Sequence, residues 1–335
     1  MSYFEVRNIS KNYDVKAMAQ LHDISFELNQ GEIVSIIGPS GTGKSTLLNI
    51  ISGDESADAG SVTLNGQSLT ENDFAYLKSN DELDFTLNVI ENIMAGLSGE
   101  KDIDAARDMI EVFGLEYKDK KNLSELSAGQ LQRVRLAKSV IKMPKLIILD
   151  EPFTNLDEFL KKEILNELFE FMKSKNMTGI LVTHHLEEAY SLSDRLLILA
   201  HGKVIQFDHP EKIYHHPIDV FCARFTGPVN LVASNVLSTT DDSVILKGPY
   251  GEYSVKGFVD GKKFAYLAIR PENVLITPEG EVKGRVKSRE FLGSTYLYKI
   301  NTGEKNLILC KANQFIEVGA QLQLTLKNKA FILPI

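Results

Sequence analysis

The chain has 335 residues, of which 43% are hydrophobic and 24% charged. This composition argues against a disordered protein, and the length suffices for two domains. The net charge of −8 is uneven, since residues 1–228 carry 35 acidic and 23 basic side chains, whereas residues 229–335 carry 10 and 14. An acidic main body argues against a broad nucleic-acid surface, so we expect no nucleic-acid partner.

Neither secretion nor membrane insertion is predicted. No apolar run approaches the roughly 20 residues of a membrane-spanning helix, and the first residues lack the basic-then-apolar order of a secretory signal. We therefore expect a soluble protein inside the cell. Cys222 and Cys310 lie far apart and outside any C-x-x-C motif, which excludes a disulfide scaffold and a Cys-rich metal site. Both are expected to be reduced, buried thiols.

The first two-thirds of the chain alternates short apolar runs with helical patterns. Three runs are expected to be buried strands: residues 31–38, 145–152 and 178–185. Helices are predicted between and around them, at residues 45–52, 100–118, 128–143, 157–175 and 186–193. In the helix 100–118, the spacing of apolar residues predicts a buried face made of Ile103, Ala106, Ile110 and Phe113. Strands that alternate with helices predict an α/β fold with a parallel sheet covered on both faces.

Beyond residue 228 the pattern changes to short alternating segments separated by Gly, Pro and Asn. The predicted strands are residues 243–247, 253–258, 264–270, 295–300, 306–311 and 322–326. Their spacing predicts a small antiparallel barrel or sandwich. We place the domain boundary near Thr226–Pro228, where Gly-Pro interrupts the chain. The expected domains are therefore 1–228 and 229–335.

Residues 38–46, GPSGTGKST, match the phosphate-binding pattern G-x-x-x-x-G-K-[ST] between a predicted strand and a predicted helix. Such a loop directs backbone N–H groups and a helix N-terminus at phosphate oxygens. Lys44 adds a charge for the terminal phosphates, and the hydroxyl of Ser45 is a ligand for Mg²⁺. The predicted nucleotide-binding residues of this loop are Gly38, Ser40, Gly41, Gly43, Lys44, Ser45 and Thr46.

Two carboxylates follow the predicted strand 146–149. Asp150 lies at the carboxyl end of the strand, where ligands bind in open α/β sheets, and is expected to hold Mg²⁺. Glu151 comes next and is expected to orient or deprotonate the water that attacks the terminal phosphate. These residues predict binding of phosphate groups together with Mg²⁺.

The segment LSAGQLQR, residues 126–133, lies 23 residues before Asp150, counted from Ser127. Here the sequence resembles the ATP-binding-cassette (ABC) ATPases, whose signature is LSGGQ; this chain has Ala128 at the third position. The resemblance extends from residue 3 to about 228 and includes further motifs in family order: Tyr13 before the first core strand, residues 154–157 at the place of the D-loop, and Thr183-His184 at the end of a strand.

The resemblance implies a P-loop cassette with a helical subdomain at about residues 80–140. It implies that Tyr13 stacks on adenine and that His184 contacts the terminal phosphate and holds the attacking water. It further implies that Ser127 and Gly129 of a second copy of the chain cover the bound ATP, so that the protein works as a homodimer.

The family places a Gln, a ligand of Mg²⁺, in the loop before the helical subdomain. Counting back from NVIENI (88–93) gives Ser79 at this position, with Asn80 as the alternative if the loop shifts by one residue. We hypothesise slower basal hydrolysis or altered coupling to the membrane partner. Equal rates, basal and partner-stimulated, in Ser79→Gln and the parent chain would refute this hypothesis.

The tail resembles the OB-like regulatory (TOBE) domain of importer ATPases for sugars, polyamines, ferric iron and oxyanions. The matching segments are residues 194–217, 225–232, 268–276 and 290–298. The resemblance implies an energy-coupling subunit on the cytoplasmic face of the membrane, with permease subunits as direct partners and an extracytoplasmic solute-binding protein as an indirect one. The permease is expected to dock near residues 79–95, including Phe85 and Leu87. A stand-alone ATPase and an exporter ATPase remain the alternatives, and the solute stays open.

Overall fold

The computed structural model describes residues 2–13, 20–78, 83–97, 99, 101–153, 156–240, 242–257, 259, 261–303, 306–326 and 330–334. Contacts between Cα atoms divide the chain into two compact units, residues 1–210 and 211–335. None of the helices in the described residues is both long enough and apolar enough to cross a membrane.

The first unit contains two sheets. The strands are β1 (Phe4–Lys11), β2 (Leu21–Leu28), β3 (Ile33–Ile37), β4 (Ala59–Leu64), β5 (Gln67–Ser68), β6 (Phe74–Lys78), β7 (Leu146–Asp150), β8 (Thr178–Val182), β9 (Arg195–Ala200) and β10 (Lys203–Asp208). A four-stranded antiparallel sheet has the order β2-β1-β4-β5, and a six-stranded sheet has the order β10-β9-β3-β8-β7-β6. Within the second sheet only the hairpin β9–β10 is antiparallel, which confirms the predicted parallel sheet.

The helices of this unit are α1 (Lys44–Ser52), α2 (Val89–Met94), α3 (Ile103–Val112), α4 (Ala128–Val140), α5 (Glu158–Ser174) and α6 (Leu186–Leu192), with a 3₁₀ turn at Leu123–Glu125. Successive residues of the buried strands point to opposite faces. On one face Ile147 and Leu149 pack against helices α2–α5, and on the other Ile148 and Val34 pack with α1 and the antiparallel sheet. Both faces of the parallel sheet are thus covered, as predicted.

The predicted buried face of helix α3 is wrong at one position. Ala106, Ile110 and Phe113 are buried, but the side chain of Ile103 is 49% exposed. The helix starts at Ile103 because Asp102 caps it, its carboxylate accepting from the N–H groups of Asp104 and Ala105. Ile103 therefore lies in the first turn, at the outer end of the packed face, and Met109 fills the core instead.

The second unit is all-β apart from two short helices, α7 (Pro210–His215) and α8 (Val220–Phe225), and a 3₁₀ turn at Pro271–Asn273. Its strands are β11 (Asn230–Thr239), β12 (Ser243–Gly248), β13 (Gly251–Lys256), β14 (Phe264–Ile269), β15 (Leu275–Ile276), β16 (Val282–Phe291), β17 (Tyr296–Asn301), β18 (Leu307–Ala312), β19 (Gln321–Thr325) and β20 (Phe331–Pro334). They form two five-stranded antiparallel sheets, β13-β12-β11-β14-β20 and β15-β19-β16-β17-β18, around one shared apolar core. The six strands predicted for the tail are all present.

Both cysteines are free and buried, as predicted. Burial raises the pKa of the Cys222 thiol to about 12, and the same cause raises the pKa of Cys310 to about 12. These thiols therefore stay protonated and unreactive at neutral pH.

Within the second unit, Arg270 of the segment AIRPENV connects the two short helices to the β-sheets. Its side chain is fully buried, and its guanidinium stacks on the Tyr214 ring with 4.0 Å between the guanidinium carbon and the ring centre. At 2.8–3.2 Å the guanidinium donates to the carbonyl oxygens of Tyr214, Ala223, Gly227 and Pro228 and to the hydroxyl of Thr226. The Arg270 side chain therefore links five residues of the segment 214–228 to the strand β14 that precedes it.

We expect Arg270→Met to lower the free energy of unfolding of the second unit by about 3 kcal/mol or more, because buried carbonyl oxygens lose their donor. Denaturant unfolding measures this change. Arg224→Met is the matched control, since Arg224 lies on α8 with its side chain exposed. Equal loss of stability in both variants would contradict the role given to Arg270.

Candidate nucleotide and hydrolysis site

The predicted phosphate loop joins β3 to α1. Gly41 and Gly43 have φ angles of +77° and +100°, a backbone region that residues with a Cβ rarely adopt. The loop thereby turns back onto the N-terminus of α1, whose free N–H groups are the groups that bind phosphate. The elements predicted for this motif are therefore present in the predicted order.

Gly38 is required by packing as well. A Cβ atom built at this position would lie 2.0 Å from the carbonyl oxygen of Leu199 in β9. The loop therefore leaves β3 in direct contact with the neighbouring strand. Any larger residue would push the loop out of its position.

Lys44 lies inside the loop with its side chain almost fully buried. Its ammonium donates to the carbonyl oxygens of Gly38 and Pro39, each at 2.9 Å. Burial lowers the pKa of Lys44, while the nearby carboxylates of Glu151 and Asp150 act in the opposite direction. A partly desolvated cation at the centre of the loop is suited to an anionic ligand.

Asp150 ends β7 beside the start of α1. Burial raises the pKa of Asp150, and a hydrogen bond with the Ser45 side chain opposes that rise. The hydroxyl of Tyr76 in β6 lies 3.5 Å from Oδ2 of Asp150 and 3.2 Å from Oδ1 of Asn49. The two predicted oxygen ligands, Ser45 and Asp150, therefore lie near each other, where β7 ends and α1 begins.

Glu151 and His184 are brought together by the adjacent strands β7 and β8. Oε1 of Glu151 is 3.5 Å from Nδ1 of His184. Glu151 adopts a left-handed backbone with φ of +46°, and its N–H donates to the carbonyl oxygen of Val182 at 3.1 Å. A non-glycine residue in this conformation stores about 1 kcal/mol of strain, a feature that clusters at functional sites.

The signature segment begins helix α4. Ser127 is the exposed N-cap residue and forms a capping box with Gln130. Gly129 is buried, and a Cβ at this position would lie 2.5 Å from a methyl carbon of Leu160 in α5. The glycine therefore allows α4 and α5 to pack closely, a structural requirement separate from the role expected toward ATP.

Gln132, one turn further along α4, connects the signature helix to the loop after β7. Its buried amide donates to the carbonyl oxygen of Pro152 at 3.0 Å. Pro152 directly follows Glu151. The signature helix is therefore hydrogen-bonded to the backbone next to Glu151.

Tyr13 follows β1 and lies beside the phosphate loop. Its hydroxyl donates a hydrogen bond to the Glu55 carboxylate, and the Thr46 side chain lies near enough to affect the pKa of Tyr13. Burial and the contact with Glu55 raise the pKa of Tyr13, so the phenol remains neutral. Thr46 belongs to the phosphate loop, so the predicted adenine-stacking ring and the predicted phosphate site are neighbours.

The loop 83–88 precedes α2 and is held by the buried amide of Asn92. The N–H of Asp84 donates to Oδ1 of Asn92, and the Asn92 amide donates to the carbonyl oxygens of Asp84, Leu87 and Asn88. Thr86 donates to the Asp84 carboxylate through both its N–H and its hydroxyl. In this ordered loop the side chain of Phe85 is 58% exposed.

Four predicted positions lie outside the described residues: Ser79, its alternative Asn80, and the first two residues of the D-loop, Thr154 and Asn155. Asp157 at the end of the same motif caps α5 by accepting from the N–H of Leu160 at 3.0 Å. The hypothesis about Ser79 stays a prediction.

Comparison with known proteins agrees with this geometry. The ABC transporter family model matches residues 21–154, and the TOBE domain model matches residues 267–333. The spermidine/putrescine import ATP-binding protein PotA of Legionella pneumophila (strain Paris) is 31% identical over 98% of this chain and 94% of its own length. The chain belongs to the ABC transporter family. PotA of Spiroplasma citri is 32% identical over 96% of this chain and 94% of its own length.

Solved structures show the same fold for the ABC cassette. A nucleotide-free ATP-binding cassette from an ABC transporter superposes with a TM-score of 0.55 and 24% identity, over 62% of this chain and 92% of that one. The ADP conformation of MJ1267, another ATP-binding cassette of an ABC transporter, gives a TM-score of 0.58 and 24% identity, over 67% and 98%. These structures confirm the predicted fold of the α/β cassette, and the TOBE match confirms the all-β domain that follows it. The predicted ATPase activity is confirmed by membership of the ABC transporter family and by the relatives named ATP-binding proteins.

Five polar residues that contact the elements carrying the predicted site were not identified from the sequence. The Tyr76 hydroxyl lies beside Asp150, Asn92 holds the loop 83–88, and Gln132 donates to Pro152. The other two are Lys161 and Glu188, which form an ion pair with each other. Gln132 and Asn92 lie in the motifs LSAGQLQR and NVIENI, so these motifs could have indicated that both residues matter. Glu188 and Lys161 are separated by 27 residues, and no sequence pattern marks that they meet.

Proposed function

We propose that this ATPase is the energy-coupling subunit of an importer whose solute is a polyamine. The proposal is supported most directly by the relatives named as spermidine/putrescine import proteins, because the similarity spans both the cassette and the TOBE domain. It narrows the range of solutes that the sequence left open.

In the proposed reaction, the phosphate loop binds ATP. Lys44 and the N-terminus of α1 face the terminal phosphates, and Tyr13 stacks on adenine. Glu151 accepts a proton from water as the water oxygen bonds to the γ-phosphorus, while the bond from that phosphorus to the bridging oxygen breaks and leaves ADP. His184, 3.5 Å from Glu151, holds the water and the γ-phosphate in line.

Mg²⁺ fits the residues present at this site. Ser45 and Asp150 offer a hydroxyl and a carboxylate oxygen near each other, and oxygen ligands of this kind are those that Mg²⁺ prefers. These two residues would hold the ion, and the ion would neutralise charge on the phosphates. Ser79 is the third proposed ligand and lies outside the described residues.

A second copy of the chain is proposed to complete the site. Ser127 is exposed at the N-terminus of α4, with its hydroxyl and the first N–H groups of a 13-residue helix beside it. The positive end of a helix favours an anion such as the exposed γ-phosphate of a neighbouring copy. Gly129 is proposed to act with Ser127 in this contact.

The permease is proposed to dock at the loop 83–88, on the cytoplasmic face of the membrane. Phe85 offers exposed apolar surface on a loop that Asn92 holds rigid, and a preformed apolar anchor favours binding because little entropy is lost. The extracytoplasmic binding protein would meet the permease and not this chain.

We expect Phe85→Ser to weaken attachment to the permease by about 10-fold or more, since loss of a buried aromatic anchor typically costs about 2 kcal/mol. The fraction of the protein that remains with washed membranes measures the effect, and basal ATPase activity should not change. Phe264→Ser is the control, because Phe264 is similarly exposed but lies on the TOBE domain. Unchanged attachment of Phe85→Ser would refute the proposed docking loop.

Uptake of radiolabelled spermidine tests the solute. Cells that lack the gene for this chain are complemented either with the parent chain or with Glu151→Gln. The proposal predicts uptake with the parent chain only. If the chain is present and bound to a permease but neither spermidine nor putrescine is taken up, the proposal that the solute is a polyamine is refuted. The proposal that the chain serves an importer would still stand.

A further inference from the structure

Glu188 holds two partners at once, from its place in the first turn of α6. Its Oε1 atom is 2.6 Å from the ammonium nitrogen of Lys161 in α5. Its Oε2 atom accepts a hydrogen bond from the hydroxyl of Thr183 at 2.7 Å. Neither Glu188 nor Lys161 is among the site residues predicted from the sequence.

Thr183 connects Glu188 to the backbone on either side of His184. The Thr183 side chain is buried, and its hydroxyl oxygen accepts from the N–H of His185 at 3.1 Å. The turn 183–185 is therefore closed by one hydroxyl group, which Glu188 fixes from the other side. His184 lies at the centre of this turn and extends toward Glu151.

Lys161 makes the arrangement rigid. It is 8% exposed, and a buried ammonium requires a charged or strongly polar partner, so Glu188 has little freedom to leave it. The backbone N–H of Lys161 donates to the carbonyl oxygen of Asp157, the N-cap of α5. The pair therefore connects the start of α5, next to the D-loop, with the turn that carries His184.

We propose that Lys161 and Glu188 are positioning residues, which hold the turn 183–185 so that His184 stays in place beside Glu151. This inference rests on the role given to His184 under the proposed function. Neither residue touches ATP in this proposal. Their effect is on the rate of hydrolysis and not on the binding of nucleotide.

Thr183→Val is the sharpest test, because valine fills the same buried space and lacks the hydroxyl group. We expect kcat of the full-length ATPase to fall about 10- to 100-fold, since small displacements of a catalytic group cost that much. Affinity for a fluorescent ATP analogue should stay close to that of the parent chain, and the melting temperature shows that the variant is folded at the assay temperature. Thr183→Ser keeps the hydroxyl group and should retain most of kcat.

Glu188→Gln tests the ion pair independently. Glu187→Gln is its matched control, because Glu187 is the preceding residue and is exposed. Lys161→Met is likewise compared with Lys162→Met, and Lys161→Arg should retain most of kcat because it keeps a charge facing Glu188. The expected result is a lower kcat in Glu188→Gln and Lys161→Met only.

His184→Ala distinguishes the proposed role of His184 in hydrolysis from the proposed positioning role of Lys161 and Glu188. If it leaves kcat unchanged, the proposed role of His184 fails and this inference fails with it. If it lowers kcat while folded Thr183→Val and Glu188→Gln hydrolyse ATP like the parent chain, only the positioning role is overturned. If Glu188→Gln does not fold, Thr183→Val and its serine control decide the outcome.

Discussion

Glu151→Gln should reduce ATP hydrolysis by about 100-fold to 10 000-fold, because a general base contributes rate enhancements of that size. Gln has nearly the same shape and cannot accept a proton, so ATP should still bind. Since ATP is proposed to join two copies of the chain, the variant should accumulate as an ATP-bound dimer. Light scattering after size exclusion, with and without ATP and Mg²⁺, measures this result.

The control for this variant is Glu170→Gln, which removes an exposed carboxylate from α5. It should hydrolyse ATP and remain monomeric or dimeric like the parent chain. A Glu151→Gln protein that hydrolyses ATP at the normal rate and shows no ATP-dependent dimer would remove Glu151 from its proposed role. The close contact with His184 would then be structural only.

Lys44→Ala should weaken nucleotide binding by about 30-fold to 5000-fold, the effect of removing a buried charge from its partner at 2–5 kcal/mol. Two effects of the substitution both weaken nucleotide binding. The phosphates lose a cation, and the loop loses the two hydrogen bonds from the ammonium to Gly38 and Pro39. Titration with a fluorescent ATP analogue measures the affinity.

Lys173→Ala removes an exposed lysine from α5 and serves as the control for the loss of charge alone. The melting temperatures of both variants show whether the fold is retained. Affinity for ATP within twofold of the parent chain in Lys44→Ala would contradict the placement of the phosphates at this loop.

The core of the cassette could be predicted because its signals are local. The strands β3, β7 and β8 are short, mostly apolar runs, which is typical of strands buried on both faces. The phosphate motif follows β3, and the two carboxylates come at the end of β7. Parallel order then places the carboxyl ends of β7 and β8 at one edge of the sheet. The proximity of Glu151 and His184 is a consequence of that order.

The antiparallel sheet of the first unit could not be predicted so readily. In β1 and β4 many side chains are polar and exposed, so the apolar runs that identify buried strands are missing. Strand β1 also contains a register shift around Asn8, where φ is positive, and such bulges break the alternation on which a sequence prediction depends.

Contacts between side chains distant in sequence were equally invisible. Arg270 was seen as part of a matching segment, but its hold on residues 214–228 depends on the folded β-sheets. Lys161 and Glu188 are charged residues of the kind that usually occupies the exposed surface of a helix. Only packing of α5 against α6 shows that both point inward.

The most direct measurement of the central claim is purification of the tagged chain from native membranes in a gentle detergent, with identification of the proteins that elute with it. The importer account predicts a polytopic permease in stoichiometric amount, with the chain present as a pair. A clean homodimer without any membrane protein, even when Glu151→Gln holds ATP in place, would contradict it and favour a stand-alone ATPase.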